Sequence, residues 1–152
     1  MRPMKLPANQ FRRFYRGGSA IARFRGSAAA EEEAYVPEDW VGSATAAFGS
    51  DTDGPSRLPD DRMLKDALAA DPEAFLGRAH VERFGADPAL LVKLLDAGQR
   101  LPVHCHPDRE FARRHLDCPF GKTEAWVITE VRGSSPAVHL GFVEEVDPAT
   151  LA

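Results

Sequence analysis

Residues 98–126 read GQRLPVHCHPDREFARRHLDCPFGKTEAW, and the reading of the fold starts here. Leu101, Val103 and Cys105 alternate with Pro102, His104 and His106. A period of two is the signature of a strand, on which residues i and i+2 share a face. Both imidazoles then point the same way, with Cβ atoms roughly 7 Å apart. At that spacing two ring nitrogens can meet one ion at about 2.0–2.1 Å each. Glu124 lies on a second strand-like run, Glu124–Ile128, rich in β-formers. If the two runs neighbour each other, its carboxylate becomes a third ligand. Two histidines and a carboxylate suit zinc, iron or manganese and leave positions open for a substrate. An isolated His-x-His is more often a pair of surface histidines, so the wider context decides.

That context is specific. Gly98, five residues and His104-x-His106 match the first half of the first cupin motif. The block LLVKLLDAGQRLPVHCHPD (90–108), followed by GKTEAW (121–126), resembles the type I mannose-6-phosphate isomerases, which are cupins. The resemblance runs from about Phe14 to Phe142. It rests most heavily on His-Pro-Asp (106–108) and Gly-Lys-Thr-Glu (121–124). It implies that His104, His106 and Glu124 hold a zinc ion; the family commonly has Gln where this chain has His104, and imidazole is also a good neutral ligand. It implies an α+β, mainly β fold: an incomplete cupin-type, jelly-roll-like β-barrel with a few helices at one side. It implies an aldose–ketose isomerase acting on mannose 6-phosphate and fructose 6-phosphate. Family members are about twice this length or more, so the chain looks truncated. The second cupin motif, with a further His ligand, is expected in the missing part.

The resemblance also bears on substrate residues. Lys93 falls inside an otherwise apolar run and needs a partner or a functional cavity. In the family a lysine here faces the substrate pocket; an edge position with its ammonium in water is the alternative. Trp40, in EDWVGSA (38–44), belongs to a segment near the active-site side, although a large aromatic is by default core. Ser43 is a candidate polar contact to substrate. Lys122 shares a face with Glu124 on the strand reading. A cation there suits an anionic sugar phosphate, and an ion pair with a neighbouring carboxylate is the competing account.

The remaining composition is ordinary. The chain has 152 residues, 43% hydrophobic and 28% charged, with net charge −4, which suggests one soluble domain. Charges of mixed sign leave no basic footprint for nucleic acid. No apolar run approaches the roughly 20 residues of a membrane span. The basic N-terminus lacks the apolar stretch of a signal peptide. Cys105 and Cys118 form no redox or zinc spacing and read as reduced thiols of a cytoplasmic protein. Cys105 should face away from the histidine pair.

Taken in order, residues 1–34 form an N-terminal arm and first strand region. Residues 35–152 form a partial cupin metal-binding domain with a helical insertion at about 60–85. Ala28–Glu33 reads as a short helix or a loop, and 48–61, rich in Gly, Pro, Ser and Asp, as an exposed loop. Met63, Leu64, Ala67, Leu68 and Ala70 recur at helical spacing. Asp71-Pro72 starts the next helix and Gly77 stops it; a third runs over Ala79–Phe84 to Gly85. ALLVKLLDAG (89–98) fits a helix ended by Gly98, but the resemblance makes Leu90–Leu95 a strand. Asp108 caps a helix that places Phe111 and His115 on one face. Arg132–Pro136 is a turn, Ala137–Val143 a strand in which His139 is structural, and Asp147-Pro148 the start of another helix. Unpaired sheet edges invite self-association or a partner chain. Two other functions fit the same residues: a non-catalytic metal- or sugar-binding cupin-like module, and an inactive fragment stable only with a partner.

Overall fold

The computed structural model describes residues 3–27 and 34–150; the helix or loop expected at 28–33 lies outside them. The chain divides into two compact units, Met1–Cys105 and His106–Ala152.

The first unit is built on two four-residue strands, β1 (Glu38–Val41) and β2 (Val92–Leu95). They pair antiparallel, with Glu38 opposite Leu95 and Trp40 opposite Lys93. The ambiguous run before Gly98 is therefore a strand. Gly98 is required by close packing: its N–H donates to Arg16 O at 2.8 Å, and a Cβ would come within 2.7 Å of Gly17 O. Helix α1 (Ala20–Arg25) precedes the sheet and ends at Gly26, whose φ of 67° is left-handed. Its Ile21 and Ala22 are buried.

The helical region follows its punctuation. Helix α2 spans Leu64–Ala70. In α3 (Pro72–Leu76) the Asp71 carboxylate accepts the Ala74 N–H at 3.2 Å, with Pro72 at the first helical position. Helix α4 (Arg78–Phe84) ends at Gly85. One face of α2 supplies most of a small core of Leu58, Leu64, Ala67 and Leu68, against which Leu6, Ala44, Phe75 and Leu76 pack. The segment 48–61 is exposed only in part: Pro55, Ser56 and Leu58 are buried. Asn9 holds it down, its side-chain amide donating to Trp40 O at 3.0 Å, Gly54 O at 2.8 Å and Ser56 Oγ at 3.2 Å. Asp39, fully buried, accepts from the Asn9 N–H at 3.0 Å and from Arg25 Nε at 2.7 Å.

The second unit holds α5 (Arg109–His115) and a 3₁₀ turn, Pro148–Thr150. Asp108 caps α5, accepting the Phe111 N–H at 2.7 Å, and the Phe111 and His115 rings meet 4.6 Å apart. In that helix only Ala112 is buried. From 126 to 143 apolar side chains stand in solvent, with Leu140 98% and Val143 103% exposed.

The α+β class holds, but the expected predominance of β does not. Among the described residues the two strands of the first unit are the whole sheet, short of a barrel. The runs 101–106, 124–128 and 137–143 are not strands. Alternation makes a segment fit for a sheet, but a strand exists only where a neighbour completes its ladder. Pro102 and Pro107 also remove donors at both ends of the first run.

Candidate metal centre

The local chain explains how Glu124 reaches His106. Pro107 ends the extended segment and Asp108 turns it into α5. The returning chain meets that turn again at Gly121, where a Cβ would lie 2.8 Å from Arg109 N and 2.9 Å from the Asp108 carbonyl carbon. Only glycine allows so close a backbone approach. The next residue fixes the contact, Lys122 N–H donating to Pro107 O at 2.9 Å. Two residues on, the Glu124 carboxylate hydrogen-bonds His106 Nε2 through Oε2. The pair is partly exposed.

The histidine hydrogen bond, first, holds the Glu124 carboxyl below its usual range; the little burial it has works the other way, and Trp126 and Lys122 add to the lowering. Glu124 is thus an anion at neutral pH. His104 stands two residues before His106 along the chain. Its Nδ1 lies 3.1 Å from Pro102 O, which suits Nδ1–H as donor and places the ring's lone pair on Nε2. Among the described residues, His104, His106 and Glu124 are side chains that could hold a metal ion.

These residues fit a divalent cation. Two donors at about 2.0–2.2 Å from one ion are at most about 4.4 Å apart, and the His106–Glu124 hydrogen bond holds that pair within this limit. Nε2 and Oε2 already share a hydrogen bond where both would turn to a cation. Two neutral imidazoles and one carboxylate are a borderline donor set. Cys105, between the histidines, is exposed and is not in the group.

Of the other expected site residues, Lys93, Trp40 and Ser43 belong to the first unit and Lys122 to the second. Lys93 does find a partner: its Nζ lies 3.6 Å from Glu38 Oε2 and 4.8 Å from the centre of the Trp40 ring. Trp40 is buried. Ser43 is fully buried, its hydroxyl donating to Thr45 O and accepting the Thr45 N–H, both at 3.1 Å. Lys122 is exposed. Sequence reasoning assigned no role to Glu38 or Tyr15, which the fold joins by a hydrogen bond. The signal was present: a lysine in an apolar strand calls for an acid, and Glu38 lies two residues from Trp40 on one strand face.

The chain is of the α+β class and offers two imidazoles and a carboxylate that could hold a metal ion. Its family is equally plain. The profile of the phosphomannose isomerase type I catalytic domain matches residues 8–122, and the chain belongs to that family. His104 and His106 lie inside the matched stretch and Glu124 just beyond it. A probable mannose-6-phosphate isomerase of Bacillus subtilis, GmuF, is 40% identical over 73 residues, covering 43% of this chain and 23% of that protein. A mannose-6-phosphate isomerase of Eremothecium gossypii is 33% identical over 109 residues, covering 66% of this chain and 24% of that protein. The chain thus spans about a quarter of the length of these curated relatives. No solved structure matches it. Among the described residues, no helix is long and apolar enough to cross a membrane.

Proposed function

We propose that this chain carries the first metal-binding part of a zinc-dependent aldose–ketose isomerase that interconverts mannose 6-phosphate and fructose 6-phosphate. The observation that carries this reading is the His106–Glu124 pair, two residues after His104, at the end of a stretch matched by the isomerase family profile.

Zinc in this place would be held by those three side chains and would supply a Lewis acid for the sugar's carbonyl and hydroxyl oxygens. The histidines bind as neutral bases and Glu124 as an anion, which would leave a zinc site with net positive charge, suited to an anionic phosphate ester. Lys93 and Lys122 are the cations this chain offers for positioning the phosphosugar and for stabilising charge as a proton moves between C1 and C2. Trp40 contributes the ring on which Lys93 rests. Ser43, a candidate contact, would have to release Thr45 to reach a ligand.

On the same reading, β1 and β2 belong to a cupin-type barrel. Residues 1–34 are the arm and 35–152 the metal-binding part. The exposed apolar residues of 126–143 favour self-association or a partner chain. Cys105 and Cys118, both unbridged, suit the cytoplasm.

One other reading fits the same side chains, a metal- or sugar-binding module without turnover. A coupled isomerase assay on the full chain, with and without added zinc, separates the two. Zinc-dependent conversion of mannose 6-phosphate supports the isomerase. Zinc binding without conversion supports the module.

A further inference from the structure

A group of buried and half-buried charge in the first unit lies around Glu38. Its carboxylate accepts the Tyr15 hydroxyl on Oε1 and the Trp40 indole N–H on Oε2 at 2.6 Å. Two cations approach Oε2, Lys93 Nζ at 3.6 Å and Arg13 Nε at 3.7 Å. The Glu38 side chain is 6% exposed and that of Lys93 25%. Arg13 also lies over the Phe11 and Trp40 rings.

The arrangement limits what Glu38 can do. Burial, the largest single influence, would raise its carboxyl, but the hydrogen bonds from Tyr15 and Trp40 together with the Lys93 and Arg13 charges outweigh it, and the net shift is downward. Burial, and then the bond to Glu38, push the Tyr15 phenol well above its ordinary range, so Tyr15 stays a donor. Both carboxylate oxygens are occupied by donors that do not let go of their protons. Glu38 is therefore a fixed anion and is poorly suited to carry a proton. Fixed anions place cations. Lys93 lies across the sheet from Trp40, between that ring's face and the Glu38 carboxylate, both of which attract an ammonium. Unanchored, a lysine side chain would sample many rotamers.

We infer that Glu38 is a positioning residue that seats the Lys93 ammonium on the Trp40 ring and so presents Lys93's remaining N–H donors to an anionic sugar ligand. The ligand half of this statement rests on the isomerase reading; the seating does not.

The test is a carbon–proton correlation spectrum of the full chain labelled at its lysine Cε. The chain has four lysines, Lys5, Lys65, Lys93 and Lys122. The Trp40 ring current should displace one Hε resonance upfield, and Lys93→Arg should remove that resonance. In Glu38→Gln, with folding checked by circular dichroism, it should return to the position of the other three. A displacement that survives in the folded Gln variant overturns the proposal. Should that variant fail to fold, Glu38→Asp decides: it keeps the charge but withdraws it by one methylene, and is expected to reduce the displacement. An unchanged displacement there, or none in the wild type, also overturns the proposal. Mannose 6-phosphate titrated into the zinc-loaded wild type should move the Lys93 resonance, with affinity about tenfold or more weaker in Glu38→Gln. If the sugar phosphate moves nothing while the displacement still depends on Glu38, the seating stands and the isomerase reading fails.

Discussion

Gly121→Ala tests how the centre is assembled without touching a ligand. The added methyl would meet Arg109 N at 2.8 Å, the Asp108 carbonyl carbon at 2.9 Å and Pro107 O at 3.0 Å. All three are backbone atoms, so no side chain can swing aside. The two segments must separate, which strains the Lys122 N–H bond to Pro107 O and carries Glu124 away from His106. Forcing a methyl into packed backbone costs about 1–3 kcal/mol. If that cost falls on closure of the ligand group, zinc affinity drops about 5- to 150-fold. Competition against a chromophoric chelator measures it, with far-UV circular dichroism as the control for folding. A folded Gly121→Ala protein that binds zinc as tightly as the wild type would refute the reasoning, because Glu124 would then not depend on this approach.

Other consequences concern the first unit. Asn9→Ala removes the amide that serves Trp40 O, Gly54 O and Ser56 Oγ. It should destabilise by about 1–3 kcal/mol and lower Tm by roughly 2–4 °C per kcal/mol; an unchanged melt would mean water replaces the amide. Glu38 gives a pH dependence of definite sign. Its folded pKa lies below its ordinary value of 4.5, so its contribution is present in full above that value and is lost as pH falls through the lower folded one. Urea midpoints measured from pH 6 downward should decline through this window, and less steeply in Glu38→Gln; parallel curves for the two proteins would contradict the assignment.

Much of this structure is legible in the chain because its punctuation is local. Asp71-Pro72, Gly77 and Gly85 bound helices by capping chemistry that needs no distant partner, and Asp108 does the same for α5. The candidate ligands His104 and His106 stand out for a related reason, being two residues apart in the chain. Glu124 needed more, a motif read by resemblance and a glycine whose purpose shows only in the packing. The strands at 101–106, 124–128 and 137–143 were over-read because alternation describes fitness for a sheet and is silent on whether a neighbour exists. Helix α1 was missed because GSAIARFRG has no clear apolar period, and it is secured by tertiary contact, the Ala20 N–H donating to Asp96 at 2.7 Å. The burial of Ser56 and Leu58 inside a stretch of loop composition was hidden likewise, since Ser56 is held by Asn9, far away in sequence, and Leu58 packs against α2.

The central claim is that His104, His106 and Glu124 form one metal centre, and X-ray absorption of the zinc-loaded full chain tests it most directly. The account predicts close to one zinc per chain, a first shell of nitrogen and oxygen at about 2.0–2.2 Å with imidazole scattering, and loss of the metal in His106→Ala. Zinc retained in that variant, or a sulfur ligand at about 2.3 Å drawn from Cys105 or Cys118, would contradict it.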